Sequence, residues 1–164
     1  MLTDVAARAD ADRALLRRVI ALAVDNATRG QLPFGAMVVL DGIVLATGVN
    51  TELADHDPTA HAEIAAIRAA CRGIASTSLS GAMLVSSCEP CALCHAVAVA
   101  AGIDRIVYAA TKEDVPLFDD DVGTADLHVL TELQRQLRLI DPGRVVHAAV
   151  DDADAPFRRY LDGD

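Results

Sequence analysis

The first part of the chain changes from helical to strand periodicity near residue 30. Apolar residues recur every three or four positions between residues 3 and 29, which predicts an amphipathic helix that Gly30 ends. Two apolar runs follow, Gly35–Leu40 and Ile43–Val49, and only Asp41-Gly42 separates them. Asp-Gly between apolar runs is typical of a two-residue hairpin turn, so the sheet is expected to begin with an antiparallel pair.

Helices and strands alternate beyond this hairpin. A polar loop over residues 50–57 precedes a helix over residues 58–72, and residues 112–123 form a loop rich in Asp. Further helices are predicted over residues 90–101, 127–140 and 156–161, and strands over residues 82–86, 104–109 and 144–149. This alternation predicts an α/β fold, a three-layer α/β/α sandwich with a mixed five-stranded sheet that is parallel beyond the hairpin.

Length and composition favour one globular domain. The chain has 164 residues, enough for a sizeable core, and we expect residues 1–164 to form a single unit. Hydrophobic residues make up 52% and charged residues 23%, as in ordinary globular proteins. No apolar run approaches the ~20 residues of a membrane span, and charged residues interrupt the N-terminal segment where a signal peptide would be apolar. We therefore predict a cytoplasmic protein with no membrane partner.

The net charge narrows the class of partners. It is −10, and an acidic surface repels the phosphates through which nucleic acids attract proteins, so no nucleic-acid partner is expected. Of the four cysteines, Cys88, Cys91 and Cys94 lie within seven residues of each other. In a cytoplasmic protein such clustering indicates a metal or a catalytic site more often than disulfides.

Two short segments carry the ligands for a metal. His61-Ala62-Glu63 and Pro90-Cys91-Ala92-Leu93-Cys94 together read H-x-E followed by P-C-x-x-C. One imidazole and two thiolates are three good ligands for zinc, and a catalytic zinc keeps its fourth position open for water. The pattern predicts one zinc ion per chain on His61, Cys91 and Cys94, with Glu63 left free beside it.

The predicted helices place both segments in a first turn, each opened by a proline. Helix N-termini carry partial positive charge and lower a cysteine pKa into the range of about 3.5–7.5, which favours the metal-binding thiolate. Zinc lowers the pKa of a bound water to about 7. Glu63 can take the proton of this water and return it to a ring nitrogen and a leaving amine, so that ammonia leaves and a carbonyl remains.

Structural explanations compete with these assignments. A purely structural zinc site needs a fourth protein ligand, and none stands at suitable spacing. Cys88 precedes the helix outside the P-C-x-x-C pattern, so a non-ligand role is favoured. Asp55-His56-Asp57 is expected to be a solvated loop. Without further information Phe34 would be a core residue and Asn50 a turn residue.

Several segments resemble the cytidine deaminase-like zinc deaminases, whose signature is H-x-E followed by P-C-x-x-C. The resemblance covers about residues 33–110 and is greatest to the bacterial guanine deaminase branch. Phe118-Asp119-Asp120 also matches a segment of that branch. The other matching segments are Pro33-Phe34-Gly35-Ala36, Ala46-Thr47-Gly48-Val49-Asn50, Asp57-Pro58-Thr59-Ala60-His61-Ala62-Glu63 and Ser87-Cys88-Glu89-Pro90-Cys91.

The resemblance implies a substrate site around the zinc. It implies that Asn50 hydrogen-bonds the base, that Phe34 packs on the ring, and that the backbone at Ala62 and Glu89 contacts the substrate. It also implies an acidic pocket residue, either Asp119 or Asp120. The terminal Pro156-Phe157 resembles the tail that places an aromatic residue over the pocket in guanine deaminases, and which aromatic closes this site stays open.

The resemblance implies an activity and an assembly as well. We expect zinc-dependent hydrolytic deamination of a free amino-substituted base, guanine first, by a homodimer. The alternatives are a nucleoside (cytidine or guanosine) or s-triazine deaminase, a tRNA adenosine deaminase, and a zinc-binding module without catalysis. A tRNA deaminase would need a basic surface for the RNA backbone, and a non-catalytic zinc module would have no need of Glu63. These two features distinguish both alternatives from a base deaminase.

Overall fold

Five strands form one mixed sheet in the computed structural model, which describes residues 2–118 and 127–163. The side chains of residues 2–5, 127 and 128 are outside this description. The strands are β1 (Gly35–Leu40), β2 (Ile43–Val49), β3 (Met83–Cys88), β4 (Arg105–Ala110) and β5 (Val145–His147). Their order is β2-β1-β3-β4-β5. β1 pairs antiparallel with both β2 and β3, whereas β3, β4 and β5 run parallel. The predicted mixed sheet with a parallel half is confirmed.

Six α-helices surround the sheet in the described part of the chain. They are α1 (Leu2–Thr28), α2 (Glu52–Asp55), α3 (Ala62–Gly73), α4 (Ala92–Ala100), α5 (Leu127–Ile140) and α6 (Ala155–Asp162). A short 3₁₀ turn covers Lys112–Asp114. None of the described helices is long and apolar enough to cross a membrane.

The hairpin turn has the geometry that its sequence predicts. Asp41 and Gly42 have φ values of 50° and 78°, and Leu40 pairs with Ile43 across the turn. Positive φ at both central residues defines a type I′ turn, which matches the right-handed twist of the flanking strands. The register shifts between Val38 and Val39, which leaves Leu45 as an extra residue in β2.

The alternation of side chains along the strands divides the core into two layers. Met37 and Val39 of β1 face α1, whereas Ala36 and Val38 face α3 and α4. On the outside of these layers α6 packs against α1, and α5 packs against α4. The result is the predicted three-layer α/β/α sandwich. The single domain over residues 1–164 stays a prediction.

Helix α3 lies directly on the backbone of β2. A Cβ built on Gly48 would lie 2.3 Å from the carbonyl oxygen of Ala62 and 2.4 Å from the backbone nitrogen of Ala66. Only a residue without a side chain permits this approach. The contact fixes the first turn of α3, which carries Glu63, against the sheet.

The prolines stand outside the helices that they were expected to open. Asp57–Ala60 is a turn closed by a bond from the Ala60 N–H to the Asp57 carbonyl at 3.0 Å, and Pro58 takes its second position. The Asp57 carboxylate also accepts hydrogen bonds from the backbone and the hydroxyl of Thr59. Because the Asp57 carboxylate and the Thr59 N–H are bonded to each other in this turn, they do not begin a helix here, and α3 begins only at Ala62. Likewise, α4 begins at Ala92 and not at Pro90.

Candidate active site and metal centre

The predicted metal ligands occupy equivalent positions at the starts of two helices. His61 is the N-cap of α3 and Cys91 is the N-cap of α4, both with extended backbone. Cys94 follows one turn into α4. Because N-cap residues stand beside unpaired N–H groups, the positive ends of two helix dipoles meet at the site. The two proline-containing segments thus each place a ligand just before a helix.

The three ligand atoms form a compact triangle. Sγ of Cys91 and Sγ of Cys94 are 3.6 Å apart, and Nδ1 of His61 lies 3.5 Å and 3.3 Å from them. Tetrahedral zinc with bonds of about 2.3 Å to sulfur and about 2.0 Å to nitrogen separates its ligand atoms by about 3.5–3.8 Å. The triangle therefore fits zinc. In the described part of the chain, this is the one group of three His, Cys, Asp or Glu residues whose ligand atoms lie this close.

The protonation of the ligands is coupled. Hydrogen bonding with Cys94, opposed by burial and assisted by His61, lowers the pKa of Cys91 to about 4. The pKa of Cys94 lies well above its usual value because of its hydrogen bond with Cys91 and its burial. Burial lowers the pKa of His61, but hydrogen bonds with Cys91 and Glu52 outweigh it and raise the pKa to about 10. Metal binding therefore displaces protons from His61 and Cys94.

Glu63 lies beside the triangle and is held by a serine. Its Oε2 is 3.4 Å from Sγ of Cys94, and its Oε1 accepts a hydrogen bond of 2.9 Å from Ser86. Burial and the charge of Cys91 raise the pKa of Glu63, which is 7% exposed. Sequence reasoning missed Ser86, and the only signal was a pair of polar residues, Ser86-Ser87, at the end of an apolar strand.

A second carboxylate stands on the other side of the His61 ring. Oε2 of Glu52 lies 3.5 Å from Nε2 of His61 and accepts a hydrogen bond of 2.5 Å from Nδ2 of Asn50. Burial raises the pKa of Glu52, but the hydrogen bonds from His61 and Asn50 leave it below its usual value. Glu52 was also missed, because it falls in a stretch that the sequence predicts as loop.

Two of the predicted ligands, His61 and Cys91, line a cavity of about 640 Å³ together with Glu63. Among the residues implied by the resemblance, Phe34, Asn50 and Glu89 line this cavity. Ala62 is fully buried, and its backbone contact with a substrate stays a prediction. Asp119 and Asp120 lie outside the described residues. The remaining lining residues include Glu52, Lys112, Val115, Pro116, Leu117, Phe118 and Thr131.

Aromatic side chains form one wall of the cavity. The ring centroids of Phe34 and Phe118 are 6.3 Å apart with the rings nearly perpendicular. Phe157 of α6 lies behind them, 6.0 Å from Phe34 and only 3% exposed, and it is not among the lining residues. Tyr160 packs edge-on against Phe118 at 5.2 Å. In the described part of the chain, Phe118 therefore faces the cavity and α6 supports it from behind.

The remaining candidates have other contacts. Cys88 is buried, its Sγ lies 3.8 Å from the Thr111 carbonyl, and it does not belong to the ligand triangle. Burial raises the pKa of its thiol further above the usual range. The Glu89 carboxylate forms an ion pair with Arg138 of α5 at 3.0 Å. Helix α5 is thereby tied to the loop between β3 and α4.

Comparison with known proteins relates this site to one family of enzymes. Residues 9–110 match the family described as the cytidine and deoxycytidylate deaminase zinc-binding region. Guanine deaminase of Bacillus subtilis is 40% identical over 121 residues, which cover 73% of this chain and 75% of that protein. The structure entitled guanine deaminase from Nitrosomonas europaea superposes with a TM-score of 0.69 at 25% identity, over 90% of this chain and 82% of that one.

Enzymes that act on RNA are also similar. The tRNA-specific adenosine deaminase of Agrobacterium fabrum is 45% identical over 82 residues, which are 50% of this chain and 54% of that protein. The similar region thus spans about half of that relative.

Proposed function

The chain belongs to the cytidine and deoxycytidylate deaminase zinc-binding family, and we propose that it removes the amino group of a free heterocyclic base, with guanine as its substrate. The observation that carries this proposal is a buried, unligated Glu63 beside a triangle of His61, Cys91 and Cys94 that fits zinc. A structural zinc site uses four protein ligands and has no need of such a carboxylate.

In the proposed reaction Glu63 moves the protons. His61, Cys91 and Cys94 would hold the zinc, which when bound would make a water nucleophilic near neutral pH. Oε2 of Glu63 takes a proton from that water and passes it to a ring nitrogen as the new C–O bond forms. Glu63 would then carry the remaining proton of the added hydroxyl to the amino group, so that the C–N bond breaks, ammonia leaves and the oxygen stays as a carbonyl. Ser86 holds Oε1 and keeps the other oxygen directed at the site.

The cavity supports a flat aromatic substrate. Phe34 and Phe118 provide ring surfaces, and Asn50 provides an amide N–H that suits an acceptor on the edge of a base. Its volume of about 640 Å³ is in the range of small-molecule sites. The similar enzyme of Bacillus subtilis is named guanine deaminase, which supports guanine over other amino heterocycles.

Ammonia release tests the substrate. Zinc-loaded protein is incubated separately with guanine, cytosine, cytidine, guanosine and amino-s-triazines, and ammonia is measured. We expect turnover of guanine. Turnover of cytidine with guanine inert would overturn the guanine assignment and favour a nucleoside deaminase. Turnover of a triazine alone would also overturn it and favour an s-triazine deaminase.

Glu63→Ala separates catalysis from zinc binding. The variant should retain zinc in metal analysis and remain folded by circular dichroism, while ammonia release falls by about 10³-fold or more because the proton carrier is lost. Glu132→Ala, which removes an exposed carboxylate of α5, serves as the control. Full activity in Glu63→Ala would contradict the mechanism, whereas a zinc-loaded wild type inactive on every base would favour a non-catalytic module.

An RNA substrate is the second candidate because of the 45% identity to a tRNA-specific adenosine deaminase. The net charge of −10 opposes it, since an RNA backbone needs basic contacts. We propose no nucleic-acid partner. An electrophoretic shift with tRNA at moderate salt, together with inosine formation, would contradict this proposal.

We also propose that the enzyme is a homodimer in the cytoplasm. Helix α5 exposes large apolar side chains on its surface, among them Leu130, Leu133 and Ile140, the last 78% exposed. Such a face is typical of a protein interface. All four cysteines are free, as expected in a reducing compartment. Light scattering after size exclusion should give twice the chain mass of 17.2 kDa, and Leu133→Glu should give a monomer. A wild-type monomer at micromolar concentration would overturn the dimer.

A further inference from the structure

Glu52 joins two residues that the proposed function uses for different purposes. It is the first residue of α2, and its side chain is 15% exposed within the cavity wall. Its carboxylate contacts Nδ2 of Asn50 at 2.5 Å and Nε2 of His61 at 3.5 Å. The same carboxylate oxygen, Oε2, makes both contacts. A single group therefore touches both the metal ligand and the amide directed at the substrate.

We propose that Glu52 is a positioning residue that holds His61 ready for zinc and fixes the orientation of the Asn50 amide. For a histidine that binds a metal through one nitrogen, the partner of the other nitrogen sets the tautomer and the ring orientation. The Glu52 carboxylate, 3.5 Å from Nε2, favours a proton on that nitrogen, which leaves the lone pair of His61 on Nδ1. Nδ1 is the atom that lies within 3.5 Å of both thiols.

The orientation of Asn50 follows from the same residue. Oδ1 of Asn50 accepts a hydrogen bond of 3.0 Å from the backbone N–H of Glu52, while Nδ2 donates to the Glu52 carboxylate. A carboxylate can only accept and an N–H can only donate, so the amide has one favoured orientation. The second Nδ2 hydrogen stays available to a base edge.

The backbone of Asn50 is fixed independently. Its carbonyl accepts a hydrogen bond of 2.8 Å from Nδ2 of Asn26, and its N–H donates to the Phe34 carbonyl at 3.1 Å. Loss of the Glu52 carboxylate therefore frees Nδ2 of Asn50 and the ring of His61, whereas the backbone N–H of residue 52 still holds Oδ1 of Asn50 and the loop keeps its place. The expected defect is one of orientation and not of folding.

Zinc affinity and substrate affinity test the two halves of the proposal. Competition with a chromophoric chelator gives the zinc Kd, and the proposal predicts a Kd about 10–100-fold higher in Glu52→Ala, with a smaller rise in Glu52→Gln. The matched control is Asp55→Ala, which removes an exposed carboxylate from the same helical turn, where it accepts a hydrogen bond from the Thr51 hydroxyl. Its Kd should equal that of the wild type.

Two further measurements separate positioning from a general structural role. In zinc-loaded wild type, nitrogen NMR of the imidazole should show the His61 proton on Nε2, and this signal should broaden or move in Glu52→Ala but not in Asp55→Ala. The KM for guanine should rise at least fivefold in Glu52→Ala, with kcat reduced less. This kinetic arm rests on the proposed function. If wild type does not turn over guanine, that function fails, and the zinc and NMR arms still decide the role of Glu52.

The zinc Kd and the Nε2 signal of the Glu52 variants decide whether Glu52 is a positioning residue. A higher zinc Kd in Glu52→Ala with native circular dichroism supports the proposal. A zinc Kd within twofold of wild type, or an unchanged Nε2 signal, overturns it. If Glu52→Ala does not fold, Glu52→Gln, which keeps size and shape, decides by the same two criteria.

Discussion

The two carboxylate oxygens of Glu63 have different neighbours. Oε1 accepts from Ser86 at 2.9 Å, and Oε2 faces Cys94 at 3.4 Å. Ser86 is only 2% exposed, so bulk solvent competes little for its hydroxyl. A hydrogen bond to a charged group contributes about 1.5–3 kcal/mol. In the proposed reaction, Ser86 thus determines which oxygen of Glu63 is free to carry a proton.

Ser86→Ala tests this role. We expect kcat to fall about tenfold or more, since the loss of about 1.5 kcal/mol, the lower end of that range, already corresponds to roughly that factor. Zinc content should not change, because Ser86 touches no ligand of the triangle. Steady-state kinetics and metal analysis on the same preparation measure both.

Ser87→Ala is the matched control from the neighbouring position. Its hydroxyl accepts a hydrogen bond of 3.0 Å from the Gly35 N–H and lies in the opposite layer of the sheet from Ser86. Its loss leaves that buried N–H unpaired and should lower the free energy of unfolding by about 1–3 kcal/mol. An equal loss of kcat in both variants would argue against a specific role for Ser86.

At the scale of secondary structure elements, the close packing of α3 on β2 determines the positions of Glu63 and His61. The Cβ missing from Gly48 would collide with backbone atoms at 2.3 and 2.4 Å, and backbone cannot rotate away as a side chain can. The helix would therefore have to move as a unit. Any such movement carries the metal ligand and the carboxylate with it.

Gly48→Ala should consequently weaken both stability and zinc binding. Overpacking a tight contact costs about 1–3 kcal/mol, and we expect at least the upper part of that range in chemical denaturation. The zinc Kd should rise, because His61 moves relative to Cys91 and Cys94.

Gly73→Ala is the control within the same helix. No atom lies within 4 Å of a Cβ at Gly73, so the substitution should leave zinc binding unchanged and raise stability slightly. Equal behaviour of the two variants would show that the contact at Gly48 is not what positions α3.

The element boundaries show what local patterns predict. Helix α5 covers residues 127–140 as predicted, since its apolar spacing alone defines it. The start of α3 differs because side-chain hydrogen bonds of Asp57 compete with helix formation. The same apolar spacing does not tell whether a helix face packs in the core or lies at the surface. In α5, Leu130, Leu133 and Ile140 are exposed.

At the scale of the whole molecule, a zinc ion on the predicted ligands would connect two helices, α3 and α4, that are separate in the sequence. His61 comes from the start of α3, whereas Cys91 and Cys94 come from the start of α4. A ligand that binds the folded state alone stabilises it according to its concentration relative to Kd. Zinc is therefore expected to stabilise the whole domain as well as supply chemistry.

Zinc removal should lower the melting temperature. At a free zinc concentration of about 100 times Kd, binding adds about 2.7 kcal/mol, which corresponds to a shift of several degrees for a domain of this size. Scanning calorimetry before and after dialysis against a chelator measures the shift. Cys94→Ala should show no response to the chelator, and an unchanged wild type would contradict the coupling.

The sequence by itself determined most helices and strands of the fold, and it predicted the three zinc ligands and the unligated carboxylate. Local spacing carries that information, because H-x-E and P-C-x-x-C each lie within a few residues of one helix start. Tertiary structure alone decided which groups surround them. Ser86 reaches Glu63 across 23 residues, and Glu52 reaches His61 from a turn that the pattern predicts as loop. Such contacts depend on the order of the strands and on the close approach of α3 at Gly48. The local periodicity of apolar residues in the sequence encodes neither.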